Sequence, residues 1–430
     1  MRAEERIERC LVAGNQRSDR GVALHGMPIV PQSATAMLGS MAPEEARMLP
    51  KFDAAETALI ERVAEFRDRE VAPHAVRWER ERRMPAEALR AAAALGLAGI
   101  EVPKEFGGLG ARFTVKVRIA EVLSEADMGF AFSLINTQNT AARLARSGTP
   151  SMRERYLAAL LRGERFGCTA LTEPHAGSDF AAIATSARKV EGGWMLNGEK
   201  AWITNAALAD LSLVFAQTDP ALRGRGIAGF LVDAARPGFE RKPAFQLMGG
   251  HAIGTGGFAL RDYVVPEADM LYPPGEGFKT ALASINGART YVAAMCCGML
   301  RGALGIALRY GAERRAFGKP LLEHQGLRWK LAEAATDLEA MRHLAYAAAE
   351  TIESGGDAVL AAAQAKAFAS RLILGRLGDC MQAMGAEGLR EAHPIGRHIA
   401  LARIANYVDG STEMQHERIG AQLAERYGGA

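Results

Sequence analysis

The chain has 430 residues, 49% of them hydrophobic, and its 52 Lys and Arg against 49 Asp and Glu leave a formal net charge of +3. That length exceeds a single small module, because one domain commonly takes about 150 residues. The near-balance of charge excludes the basic footprint of a nucleic-acid or anionic-membrane binder.

Residues 1–50 lack sustained apolar periodicity and carry Pro28, Pro31, Pro43 and Pro50, so they are expected to be a poorly structured extension. The mixture of Glu4, Glu5 and Glu8 with arginines is unlike a signal or transit peptide. No stretch reads as the roughly 20 apolar residues of a membrane span, so a cytoplasmic protein is expected. From Phe52 the pattern turns helical. Leu59, Val63 and Phe66 mark one stripe that stops before Pro73, and helices continue to about Arg162, interrupted by the loop chemistry of EVPKEFGGLG (Glu101 to Gly110). The predicted N-terminal helical domain spans 51–167.

Residues 168–275 read as a β domain, with short strand-like runs at Leu211 to Ala216 and Ile227 to Val232, and turn signals at Asp219-Pro220 and Arg236-Pro237-Gly238. Residues 276–430 return to long helical patterns: Val292 to Arg315, Glu323 to Ile352, Ala358 to Met384 and Pro394 to Asn406.

Several motifs carry less than they suggest. GRGIAG (Gly224 to Gly229) fits a dinucleotide fingerprint, but strand-like Phe230, Leu231 and Val232 follow where a helix N-terminus is required, so a glycine-rich β connection is the reading. Ser186 and Lys189 form SxxK without the companion motifs of that acyltransferase class. The cysteines Cys10, Cys168, Cys296, Cys297 and Cys380 contain no CxxC pair, so neither disulfides nor a metal site is expected. Cys296 and Cys297 point to different faces of a helix, and one of them is expected in the core.

Two blocks stand out, LTEPHAGSD (Leu171 to Asp179) and NGEKAWITN (Asn197 to Asn205). With the order helices, strands, helices, they resemble the acyl-CoA dehydrogenase family over about Phe52 to Tyr427. The resemblance implies an α+β multidomain fold with an N-terminal all-α domain, a middle β-barrel or sandwich domain and a C-terminal four-helix bundle. It implies FAD as cofactor, with Leu171 and Thr172 on the pyrimidine side of the flavin, Trp202 and Thr204 beside its reactive edge, and Ser178 facing the acyl-thioester arm.

A second segment, ERRAFGKPLLEHQ (Glu313 to Gln325), resembles the family's stretch that reaches the FAD of a neighbouring subunit. By that likeness Arg314 contacts the pyrophosphate, and Phe317 and Gln325 complete the adenine side. QAMGAEGL (Gln382 to Leu389) matches the adenosine turn at Gln382 and Gly385, with Ala386 where a second glycine is usual. A shared site implies at least a dimer and usually a dimer of dimers.

Removing the proton beside a thioester carbonyl requires a carboxylate over that carbon, opposite the hydride acceptor. In the family the base falls in the segment that here reads YVDGSTEMQ (Tyr407 to Gln415), where Asp409 replaces the usual glutamate. Ser411 is then a flavin-side group, and Glu413 a flavin-side or helix-surface group. The alternative for Asp409 is an N-cap of the last helix. The other family position for a base is Ala288, next to Arg289, a candidate substrate contact. Further departures are His251 and Ile253 for the usual arginine and serine, and Ala400-Leu401 for an Arg-Asp pair. Phe130 and Phe132 either shorten the acyl pocket or fill the core, and the shorter reading favours a short or branched acyl group.

The sequence therefore predicts α,β-dehydrogenation of an acyl thioester, carried by CoA or a carrier protein, with an electron-transferring flavoprotein as acceptor. The competing readings are a nitroalkane oxidase-like flavin oxidase and a non-catalytic acyl-carrier-binding scaffold.

Overall fold

The computed structural model describes residues 50–428. The N-terminal extension expected over 1–50 lies outside the described residues, Pro50 excepted.

Helix α1 (Ala54–Phe66) opens on a reciprocal cap: the Asp53 Oδ1 accepts from the Glu56 N–H at 2.8 Å, and the Glu56 Oε2 accepts from the Asp53 N–H at 3.0 Å. Its stripe of Leu59, Val63 and Phe66 is buried, as the spacing predicts. Helices α2 (Ala75–Glu81) and α3 (Ala86–Ala94) follow, then α4 (Phe113–Ser124) and α5 (Met128–Ser147). Phe130 packs between Phe66 and Trp78, with ring centroids 5.9 and 5.7 Å away. It fills the N-terminal core.

The middle of the chain forms one eight-stranded sheet: β1 (Gly167–Ala170), β2 (Ser186–Val190), β3 (Gly193–Ile203), β4 (Leu211–Gln217), β5 (Ile227–Asp233), β6 (Phe239–Arg241), β7 (Gly256–Pro266) and β8 (Met270–Tyr272). The order is β6-β7-β3-β2-β4-β5-β8, with β1 pairing parallel to β4. Gly226 ends a 3-10 segment and Ile227 opens β5, so GRGIAG is a connection into a strand and no phosphate cradle.

The last third is helical: α6 (Glu276–Glu313), α7 (Gln325–Glu353), α8 (Val359–Ala383), α9 (Ile395–Ala405) and α10 (Thr412–Tyr427). Helix α6 begins 16 residues before the sequence expectation of Val292, because Gly287 and polar Lys279, Ser284 and Asn286 mask its periodicity. By length and an 18-residue window of mean hydropathy 1.6 it also meets the composition of a membrane span, contrary to the sequence reading, but 78% of that window is buried within the protein. Cys296 and Cys297 are both buried, not one, because neighbours cover α6 on several sides. Burial pushes the Cys296 thiol up to about 12, which leaves it inert.

Helix α4 is buried at every residue, although TVKVRIAE reads as half polar. It packs so closely on α6 that a Cβ at Gly298 would stand 2.1 Å from the Glu121 carbonyl oxygen, and one at Gly302 would stand 2.3 Å from that of Glu125. Gly298→Ala is therefore expected to destabilise by about 1–3 kcal/mol through overpacking, read as a lowered melting temperature at equal flavin content; an unchanged melt would contradict this helix approach.

Candidate active site

The two motif blocks meet in space. The Ala201 N–H donates to the Thr172 carbonyl at 3.0 Å, and the buried Lys200 Nζ donates to the Leu171 carbonyl at 3.0 Å and pairs with Glu173 at 2.7 Å. Glu173 also accepts from the Ala184 and Thr185 N–H groups at 2.7 and 3.0 Å, which fixes the loop after β1 onto β3. Burial opposes the charge of both partners: it pulls Lys200 down to about 8, while in Glu173 the Lys200 ammonium overcomes burial and holds the carboxyl below its usual range.

The pairing of β3 with β7 shifts register between Lys200 and Ile203, and Trp202 takes a left-handed φ of 60° there. Such an irregularity re-aims a side chain out of the alternating pattern. Trp202 is consequently 57% exposed, with Phe245 4.4 Å away between ring centroids. Thr172 and Thr204 are half-buried on either side, and Ser178 is exposed on the loop. An exposed indole flanked by half-buried hydroxyls fits a planar heteroaromatic ring with polar edges. The backbone bonds of Thr172 to Ala201 and of Leu171 to Lys200 bring the first block alongside the β3 segment that carries Trp202 and Thr204.

Asp409 lies in the loop between α9 and α10, with φ +55° and Gly410 at +91°. It does not cap α10, because Ser411 does, accepting from the Met414 N–H at 3.4 Å. The loop is clamped through its carbonyls. The Arg289 Nε donates to the Asp409 oxygen at 3.1 Å, the Gln415 Nε2 donates to that of Gly410 at 2.9 Å, and the buried Lys366 ammonium bonds those of Val408 and Gly410. The carboxyl is consequently turned inward, and its Oδ2 is buried with no hydrogen-bond partner in the structure. Burial pushes Asp409 above the usual carboxylate range, against the charges of Lys366, Arg289 and Arg143. A buried carboxylate with an open lone pair and a raised pKa is suited to accept a proton. Glu413 is exposed at the start of α10 and is no rival.

The remaining candidates gather elsewhere. Arg314 is exposed at the C-terminus of α6, Phe317 is 96% exposed at φ +51° in the tight turn between Arg315–Ala316 and Lys319–Pro320, and Gln325 is exposed at the start of α7. Lys330 near the start of α7 reaches Asp379 near the end of α8 at 3.4 Å, so exposed Gln382 and Gly385 share that end of the bundle. At the α-helical rise, roughly 37 Å of α6 separates Arg289 from Arg314. The Asp409 loop, held by Arg289, and the adenine-side candidate Arg314 therefore lie far apart within one chain.

His251 has a structural partner that its sequence position does not reveal. The Glu79 carboxylate of α2 accepts from the His251 and Ala252 N–H groups at 3.1 and 3.2 Å and lies 2.9 Å from the His251 Nδ1, docking this β-domain loop on the N-terminal helices. Sequence reasoning also missed Lys366, Arg143, Asn139 and Tyr291. Their only signal is polarity inside otherwise apolar helices.

Helical flanks around a sheet, a planar-ring face at the strand ends and an inward carboxylate on the last interhelical loop define a flavin-dependent dehydrogenase. Models of the acyl-CoA dehydrogenase N-terminal, middle and C-terminal domains match residues 53–164, 168–263 and 275–424. The chain is 33% identical over 365 residues to the short-chain specific acyl-CoA dehydrogenase of Bos taurus, covering 84% of this chain and 88% of that protein. Among solved structures, butyryl-CoA dehydrogenase from Megasphaera elsdenii superposes with a TM-score of 0.83 at 30% identity, covering 87% of this chain and all of that one. A glutaryl-CoA dehydrogenase from Mycobacterium smegmatis in complex with FADH2 gives 0.82 at 27% identity, with 87% and 95% coverage. The chain belongs to the acyl-CoA dehydrogenase family, and it is an FAD-dependent oxidoreductase acting on CH–CH bonds.

Proposed function

We propose that this enzyme forms the α,β double bond of a short acyl thioester, with Asp409 as the base that removes the α-proton. The observation that carries this is the buried, unpartnered Oδ2 of Asp409 on a loop clamped by Lys366, Arg289 and Gln415. Bound FAD supplies the acceptor for the β-hydride. Leu171, Thr172, Trp202 and Thr204 are its ring-side contacts, with Ser411 at the cap of α10 and Glu413 in its first turn as further flavin-side groups. Arg289 orients the base through the backbone and borders the substrate.

Coenzyme A is favoured as carrier by a cleft of about 810 Å³ beside the Ser178 loop, lined by Ala182, Arg188, Lys189 and Arg223. A smaller one of about 470 Å³ adds Arg225 and Lys279. Cationic side chains of this kind suit phosphate groups. The short-chain relative supports a short acyl group. Arg314, Phe317, Gln325, Gln382 and Gly385, all exposed, hold the adenine side of FAD in a partner subunit, which makes the working assembly at least a dimer, and a dimer of dimers by the family resemblance. Electrons then pass to an electron-transferring flavoprotein.

Anaerobic mixing of the FAD-loaded protein with butyryl-CoA is expected to bleach the flavin and yield the 2-enoyl thioester. Absence of bleaching by any acyl-CoA, or bleaching by nitroalkanes alone with oxygen uptake on readmission of air, would overturn this reading.

A further inference from the structure

The two peptide groups that border the Cα of Asp409 both carry a cation on their oxygen. The Lys366 ammonium of α8 bonds the Val408 carbonyl, whose peptide ends in the Asp409 N–H. The Arg289 Nε donates at 3.1 Å to the Asp409 carbonyl, whose peptide ends in the Gly410 N–H. Neither N–H donates to any group among the described residues. Lys366 also bonds the Gly410 carbonyl, is only 1% exposed and makes no ion pair among the described residues.

Holding the loop does not by itself call for a charge. The neutral Gln415 amide already reaches the carbonyls of Gly410, Ser411 and Asp409 at 2.9, 3.2 and 3.4 Å. Burying an ammonium that no carboxylate pairs is costly, and a neutral donor would tie the same oxygens. What the ammonium adds is polarisation, because a peptide oxygen that accepts from a cation makes the N–H of the same group a stronger donor. Burial pulls Lys366 down to about 8, against the charge of Asp409, so it keeps its proton at neutral pH; the other groups that face it are Arg289 and Cys296 of α6 and Glu413 of α10. A base that takes the α-proton leaves negative charge on the thioester oxygen, two bonds from the carbon that loses the proton, and that oxygen needs donors as the charge grows. An aspartate carboxyl is itself two bonds from its Cα, so the N–H of the base lies within reach of that oxygen. It is the N–H that Lys366 polarises.

We infer that Lys366 is a positioning residue that acts through the Val408–Asp409 peptide: it holds the base on its left-handed backbone and strengthens the Asp409 N–H toward the enolate oxygen of the substrate. This rests on the reading of Asp409 as base in an acyl-thioester site, and adds to it a residue that never touches the thioester.

The test titrates the FAD-loaded enzyme at neutral pH with two four-carbon thioesters, acetoacetyl-CoA, which ionises to an enolate between its two carbonyls, and crotonyl-CoA, which does not. Bound enolate is read from its long-wavelength charge-transfer band with the flavin, and affinity from the titration. Lys366→Met, and Lys366→Gln, which keeps a donor without the charge, are each expected to weaken acetoacetyl-CoA about tenfold and to diminish the band, while crotonyl-CoA changes less than about threefold. Equal weakening of both thioesters, or loss of flavin by both variants, would overturn the inference, because Lys366 would then serve the loop or the fold alone. An unchanged band in the variants, or no enolate band in wild type, would overturn it as well. Asp409→Asn separates the two readings, since it keeps the N–H and is expected to retain the enolate band while its reduction by butyryl-CoA slows. Fast reduction in that variant would remove the base, whereas a normal band in Lys366→Met would remove only the role of Lys366.

Discussion

Asp409→Asn is expected to slow flavin reduction by an acyl thioester about 10²- to 10⁴-fold while the flavin stays bound. Asparagine is nearly isosteric and, like aspartate, tolerates the left-handed φ of 55° found here, so the clamp on the loop by Arg289, Lys366 and Gln415 should survive. What disappears is the lone pair that accepts the proton. Asp409→Glu is a harder substitution than its chemistry suggests. It restores the residue usual in relatives, yet the site accommodates the shorter side chain, and a displacement of about 1 Å at a reacting group costs about 10²-fold.

The pH dependence gives an independent readout. Burial raises the Asp409 carboxyl, and the base must be ionised, so the acid limb of kcat/KM should lie above the ordinary 3.8 of an aspartate, with the rate rising as pH rises through it. The same shift makes a stability statement. A carboxyl raised in the folded state favours folding at low pH, and that contribution is lost as pH climbs through its folded value. Stopped-flow reduction across pH checks both points. Asp409→Asn reducing its flavin as fast as wild type, or keeping the acid limb, would remove Asp409 from the role.

Much of this site was legible because its signals are local. The run from Leu171 to Asp179 and that from Asn197 to Asn205 announce a ring face, and the structure joins them through single bonds such as Ala201 to Thr172. Asp409 was legible by position, but not its partners. Lys366, Arg289 and Gln415 come from three different helices, and only the tertiary fold brings them to one loop. Arg143 and Asn139 were invisible for another reason. A polar residue on a helix normally reads as solvent-facing, and no periodicity distinguishes a half-buried cation from one that faces water. Helix α4 misleads in the same way, because Lys116, Arg118 and Glu121 suggest a wet face that the bundle covers. Phe130 shows the converse, an aromatic that its sequence leaves open between pocket wall and core and that the N-terminal core claims.

Glu121→Gln is expected to cost about 3–5 kcal/mol of stability, because it breaks a buried ionic cluster from the inside. Glu121 is fully buried on α4, 2.9 Å from Arg118, 2.7 Å from Arg342 of α7, and within 2.5 Å of the Tyr346 hydroxyl. Burial alone would raise this carboxyl, but Arg342 and Arg118 overcome it and hold Glu121 down at about 2. The linkage therefore has the opposite sign to that of Asp409. The stabilisation is complete above the ordinary value of 4.5 and is lost as pH falls from there toward 2. Acid unfolding of wild type should begin in that window, and in the Gln variant this contribution should be absent. The cluster need not be a net source of stability, since forming it requires desolvating four polar side chains. Replacing Glu121, Arg118 and Arg342 together by leucines is accordingly expected to recover most of the loss. Denaturant midpoints at matched flavin occupancy and protein concentration give the comparison, both being necessary because FAD and partner subunits add binding energy to any apparent stability. If Glu121→Gln costs less than about 1 kcal/mol, the cluster is hydrated and α4 is not the dry centre between the N-terminal helices and the bundle.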